Sequence, residues 1–175
     1  MEVPEIYEGI VEVKSIARAV GERTKISVYS KDERVDCVGA CVGMRGSRVK
    51  TIVTELQGER IDIVRYSSDI KEYIQAALSP AEISQIQVKS EEKKANLIVA
   101  EDQLSLAIGK RGQNVRLASE LVGWELNIFT ADQWQKHLQD ILPNPPANTQ
   151  AKPAEAEEGS VGLENLSGVG EKLIE

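Results

Sequence analysis

Ile108 to Arg116 reads I-G-K-R-G-Q-N-V-R, with two glycines bracketing a lysine and an arginine ahead of a helix-forming run. Alone, such a stretch is a basic turn between helices. An echo of it lies upstream, where Val42 to Lys50 reads V-G-M-R-G-S-R-V-K. With Gly43 set on Gly109, the match spreads in both directions. The first copy runs V-G-A-C-V-G-M-R-G-S-R-V-K-T-I-V-T-E-L-Q-G-E-R-I-D-I-V from Val38, and the second L-S-L-A-I-G-K-R-G-Q-N-V-R-L-A-S-E-L-V-G-W-E-L-N-I-F from Leu104. Gly46 meets Gly112, Val49 meets Val115 and Lys50 meets Arg116. After a one-residue slip, Gly58 meets Gly123, and Ile61 and Ile63 meet Leu126 and Ile128. The chain is an internal duplication.

Both copies share one grammar. Alternating residues predict a strand at 25–29 and at 96–100. A short helix follows, with Asp36 or Asp102 as its expected N-cap. After the Gly-x-x-Gly turn, Val49, Ile52, Val53 and Leu56 mark the apolar face of a second helix. Val115, Leu117, Ala118, Leu121 and Val122 do so in the second copy. Gly58 and Gly123 stand where a helix C-terminus prefers glycine. Strands at 60–65 and 124–129 close the copies, and further strands precede them at 9–18 and 83–89. Residues 69–78 predict a helix that opens the second unit; the first has a stub at 3–8. Each unit is thus ordered helix, strand, strand, helix, helix, strand. This order is of the α+β class.

The turn has a chemical logic. Its glycines remove side chains from the path of an approaching backbone. The helix behind offers unpaired N–H groups and a positive dipole end to an anion. The net charge is −7, yet residues 43–50 and 109–116 together hold six of the 21 basic residues and no acid. With the tail from residue 143 at net −4, the remainder is near −3, so a nucleic-acid surface has to be a local patch.

Composition narrows the other classes. Hydrophobic residues make up 41% and charged residues 28%, a globular composition. No apolar run approaches the roughly 18–20 residues of a membrane helix, and the acidic start M-E-V-P-E lacks a signal-peptide core. The expectation is a cytoplasmic protein with no membrane contact. Cys37 and Cys41, four apart on one helix face, are too few for a zinc site and read as buried thiols. His137 is the only histidine and reads as a surface residue near a helix end. Glu91-Glu92 and Glu101-Asp102 are paired acids of the solvated or capping kind. No metal, cofactor or catalytic constellation follows, and the protein is not expected to be an enzyme. Aromatics are only 4%, so ring stacking is not the main device for holding bases. The rivals to nucleic-acid binding are two plain turns, an enzyme, and a protein-binding module.

The helix–GxxG–helix unit within this order resembles the KH domain in its type II arrangement, which implies a three-stranded sheet carrying helices on one face. The two strings in tandem resemble the paired KH region of the NusA family of bacterial transcription elongation and antitermination factors, over about residues 1–135. The resemblance implies two KH domains, at 1–67 and 68–135; only about three residues separate the first unit's last strand from the second unit's helix, so the two are expected to pack against each other. Composition predicts a helix end and disordered acidic linker at 136–160, followed by a truncated helix-hairpin-helix-like tail at 161–175 that is also expected to be disordered. The resemblance implies binding of single-stranded RNA from the nascent transcript, about four nucleotides per domain with the GxxG loop on the backbone. Pausing, termination and antitermination by RNA polymerase would be modulated in this way. Carried over by position, the RNA-binding residues are Gly43, Met44, Arg45, Gly46, Ser47, Arg48 and Lys50. In the second unit they are Gly109, Lys110, Arg111, Gly112, Gln113, Asn114 and Arg116. RNA polymerase and other antitermination factors are implied as partners through a longer protein whose polymerase-binding and S1 domains precede this region. A monomer is expected. Two departures stand out: Asp36-Cys37 replaces the family's Asp-Pro, and Met44 stands where the second loop has Lys110. The second loop is therefore the stronger phosphate site.

Overall fold

The computed structural model of the protein describes residues 1–142; the expected linker and hairpin-like tail beyond them lie outside the described residues. The first unit consists of α1 (Pro4–Tyr7), β1 (Val11–Ala19), β2 (Arg23–Ser30), α2 (Cys37–Val42), α3 (Ser47–Glu55) and β3 (Arg60–Arg65). The second repeats it with α4 (Ile70–Leu78), β4 (Gln85–Lys89), β5 (Lys94–Val99), α5 (Glu101–Ile108), α6 (Gln113–Val122) and β6 (Glu125–Thr130). A further helix, α7 (Ala131–Ile141), follows β6 directly. The two sheets have one topology: β1 antiparallel to β2 and β2 parallel to β3, then β4 antiparallel to β5 and β5 parallel to β6.

Strand alternation assigns the faces of the first sheet. Val11, Ile26, Val28 and Ile63 point to one side and form a core with Val3, at the N-cap of α1, and with Cys37 and Cys41 of α2. Ala17, Ala19 and Val64 point to the other side, where the second unit covers them. There Ile74, Ala77 and Leu78 of α4 and Leu117, Ala118 and Leu121 of α6 join Leu97 and Leu126 in the largest apolar cluster. The first sheet therefore carries its own helices on one face and α4 and α6 on the other. The alanines of β1 explain how: Ala17 has no exposed surface, and its small side chain lets α6 lie close. Burying side chains such as Ile74, Leu78, Leu97 and Leu117 contributes about 1.5–3 kcal/mol each. The expected packing of one unit on the other is thus a shared core. Tyr29, Tyr66 and Tyr73 extend it across the connection, with ring centroids 6.0 and 5.1 Å apart.

Several local expectations shift. Asp102 lies within the first turn of α5, and Ala100 holds the N-cap position. Asp36 occupies the N-cap position of α2, but its carboxylate makes no capping bond and accepts from Arg65 at 2.7 Å instead. The stop of α3 is spread over two residues: Gln57 takes φ 58° and Gly58 φ 93°, and Gly58 N–H donates to Val53 O. Gly123 ends α6 as expected, at φ 75°. The helix end expected beyond residue 135 is that of α7, which continues to Ile141 behind a Thr130–Gln133 capping box. His137 lies in this helix and is part of the packing, its ring stacked on Phe129 at 5.1 Å and beside Trp134.

Candidate nucleic-acid interface

The two Gly-x-x-Gly turns are nearly superimposable in their torsions. Gly43 has φ 75°, ψ 172° and Gly109 φ 76°, ψ 174°. Arg45 (54°, 28°) and Arg111 (57°, 27°) both sit in the left-handed region, unusual for a residue with a side chain. Gly46 (75°, 18°) and Gly112 (71°, 16°) complete the turns and stand at the N-cap positions of α3 and α6, where no side chain caps either helix. The first-turn N–H groups thus face the loop without a competing side-chain oxygen. This is the arrangement that attracts a phosphate to a helix N-terminus.

The residues behind the loops brace them. Arg48 Nη1 donates to Ala40 O at 2.5 Å and to Glu5 Oε2 at 2.8 Å. Asn114, at the matching position, donates to Leu106 O at 3.3 Å, Ala107 O at 3.1 Å and Leu78 O at 3.2 Å. In both copies a side chain from the second helix thus satisfies carbonyls left open at the end of the first. Asn114 is only 1% exposed. Its side chain faces the interior and holds the loop from behind. Arg48 is committed to the same task, with its charge spent on Glu5.

All the other predicted side chains except that of Gln113 are open. Met44, Arg45, Ser47, Lys50, Lys110, Arg111 and Arg116 are exposed. Among the described residues, none of the basic ones in this set lies within ion-pair distance of a carboxylate, whereas Arg18, Arg23, Lys25 and Arg48 are all paired. The loop cations other than Arg48 are thus left without a countercharge among the described residues.

A family model for the NusA-like first KH domain matches residues 1–66, and one for the NusA-like second KH domain matches residues 70–136. The chain belongs to the NusA-like KH family. It is 57% identical over 136 residues to the transcription termination/antitermination protein NusA of Halalkalibacterium halodurans, covering 78% of this chain and 36% of that protein. Against the Bacillus subtilis protein of the same name it is 57% identical over 128 residues, 73% of this chain and 34% of the relative. The chain spans about a third of the length of these curated relatives. Among solved structures it is similar to the crystal structure of APE1850, at TM-score 0.52 and 27% identity, covering 73% of this chain and 95% of that one.

The two NusA-like KH units differ in surroundings. α3 lies on the outside and buries no residue, whereas α6 lies between the sheets and buries Asn114, Leu117, Ala118 and Leu121. The second loop, at the head of α6, consequently abuts the first unit. Gln113 donates to the Glu22 carboxylate in the β1–β2 turn. A cleft of about 350 Å³ there is lined by Glu22, Arg23, Arg60, Lys110, Arg111 and Gln113. Sequence reasoning had no means of placing Glu22, Arg23 and Arg60 at this loop, since nothing in their local pattern marks them.

Two ionic clusters lie at this edge of the first sheet. Glu59, 1% exposed, accepts two bonds from Arg18 at 2.8 and 2.9 Å, one from Thr24, and one from Gly21 N–H at 3.0 Å. The Arg18 bonds, then those from Thr24 and Gly21, draw its carboxyl down from 4.5 to about 2. Lys25 has no exposed surface and pairs with Asp62 at 3.0 Å, which Arg23 also reaches at 2.6 Å. Burial pushes the Lys25 ammonium below its ordinary value, and Asp62 restores only part of that. For Asp62, burial acts upward, but the bonds from Arg23 and Lys25 outweigh it and hold the carboxyl low.

Proposed function

We propose that this chain is the single-stranded RNA-binding region of a NusA-like transcription factor. Its two Gly-x-x-Gly loops clamp the backbone of the nascent transcript, and through it modulate pausing, termination and antitermination by bacterial RNA polymerase. The observation that carries this is the repeated loop geometry: two left-handed turns of nearly equal torsions, each at an uncapped helix N-terminus, each bordered by cations without ion-pair partners among the described residues. The NusA names of the relatives and the KH family matches support the class. On this reading Lys110 and Arg111 form the stronger clamp, and Arg45 with the neutral Met44 the weaker one. Lys50, Arg116 and Ser47 border the path. The protein works in the cytoplasm without catalysis, as a monomer, and reaches polymerase and other antitermination factors through a longer chain.

The test is binding of single-stranded RNA by Lys110→Asp/Arg111→Asp across a salt series. Losing two phosphate contacts should lower the slope of log K against log salt by about 1.4, at about 0.7 per contact on a single strand. Affinity should fall at least about tenfold, the cost of two exposed ion pairs together with the repulsion of two new acids. Parental affinity and slope in the double variant would end the clamp reading.

A further inference from the structure

We infer that the cleft at the seam of the two units is a composite phosphate site, in which Arg60 of the first unit and Lys110 and Arg111 of the second loop grip the same stretch of RNA backbone. This rests on the reading above and extends it to residues outside either Gly-x-x-Gly motif. Two neighbouring cavities share Glu22, Arg111 and Gln113. One, of about 350 Å³, adds Arg23, Arg60 and Lys110; the other, of about 280 Å³, adds Ala19, Arg116 and Leu117. The larger is within the roughly 300–1,000 Å³ of small-ligand sites.

The charges at this seam do not balance. Arg23 is committed to Asp62 at 2.6 Å. Arg60, Lys110, Arg111 and Arg116 have no carboxylate within ion-pair distance among the described residues, and Glu22 is the only acid lining either cavity. Four free cations thus face one carboxylate in a chain of net −7. A concentration of like charge against a low-dielectric wall is unfavourable unless an anion joins it. The position of Arg60 is also built in. Its backbone N–H donates to Glu22 O at 3.2 Å, so the start of β3 is tied to the turn that meets Gln113. Arg60 therefore stays beside the second loop for as long as the shared core holds the units together.

Glu22 sharpens the assignment. Its carboxylate latches the seam through Gln113, yet it repels any phosphate that enters. Removing its charge and removing that of Arg60 should thus move RNA affinity in opposite directions, although both residues line one cleft.

The experiment compares Arg60→Gln, Glu22→Gln and Lys136→Gln in the full chain, using a fluorescein-labelled adenosine-rich RNA about three times the roughly four-nucleotide span of one KH unit. Lys136, on α7, controls for net charge. We expect Arg60→Gln to weaken binding about three- to fivefold at low salt, the size of an exposed ion pair, and to lower the salt slope by about 0.7. Glu22→Gln should strengthen binding, and Lys136→Gln should leave it within error. Circular dichroism and urea midpoints confirm that each variant is folded, as expected for exposed side chains. If Arg60→Gln matches Lys136→Gln, or if Glu22→Gln weakens binding, the composite site is refuted. That outcome combined with a loss of binding in Lys110→Asp/Arg111→Asp would leave the clamp intact and remove only the seam site. Unchanged binding in the double variant would instead remove the clamp itself.

Discussion

Gly109→Ala and Gly112→Ala are the same chemical change three residues apart, and the structure separates them. Gly112 is left-handed at φ 71°, ψ 16°, and a Cβ there meets nothing within 4 Å. Its cost is the left-handed penalty alone, about 1–2 kcal/mol. Gly109, at φ 76°, ψ 174°, occupies a region that is essentially glycine-only, which costs about 1–3 kcal/mol for another residue. Its Cβ would also stand 2.7 Å from Asn114 Cβ and 2.9 Å from Asn114 N. Those atoms cannot retreat cheaply, since the Asn114 amide is held by three carbonyls in a buried site. The combined cost should exceed about 3 kcal/mol. With a urea m-value near 2 kcal/mol/M, Gly109→Ala should unfold about 1 M earlier than Gly112→Ala. Urea unfolding followed by circular dichroism measures this directly. Equal midpoints would refute the claim that close approach of α6, rather than φ alone, demands glycine at the first position of the loop. Gly43 offers a replicate, since its Cβ would meet Arg48 Cγ at 2.7 Å and Arg48 N at 3.0 Å.

Two further predictions concern the ionic clusters. Asp62→Asn strands the fully buried Lys25 beside Arg23 and should cost about 3–5 kcal/mol, whereas Lys25→Met removes the buried charge itself and should cost far less; chemical denaturation of the two variants decides, and equal stabilities would contradict the pairing. Glu59 has a folded pKa below its ordinary value, so its stabilisation is complete above about pH 4.5 and drains away as pH falls toward 2. The stability gap between the parent and Glu59→Gln should accordingly narrow across that window in acid titrations, and a gap independent of pH would show that the carboxylate is not the source.

The duplication made much of this protein readable in advance. Alternation at 25–29 and 96–100 and the helical spacing from Val49 and Val115 are local periodicities, and local backbone preference carries them into the fold. The glycine pairs at 43/46 and 109/112 were legible for a similar reason, since left-handed torsions restrict which residues tolerate them. Helix caps were less legible: Asp36 had a competing partner in Arg65, and Asp102 fell two residues past the N-cap at Ala100. Nor does the sequence distinguish a brace from a contact. Arg48 and Asn114 follow their loops as Ser47 and Gln113 do, but each turns back to the carbonyls of the preceding helix.

What the chain by itself determined was a pair of like units, each with a turn shaped and charged for an anion, because torsional demand and side-chain charge are properties of short segments. What only the tertiary structure decided was that the units are not equivalent. Ala17 and Ala19 leave room on β1 for α6, so the second helix of the second unit is buried where its counterpart stays outside. The second loop is thereby brought against Glu22 and Arg60. That asymmetry depends on the fit of two apolar surfaces formed by residues far apart in sequence, and no periodicity within either unit encodes it.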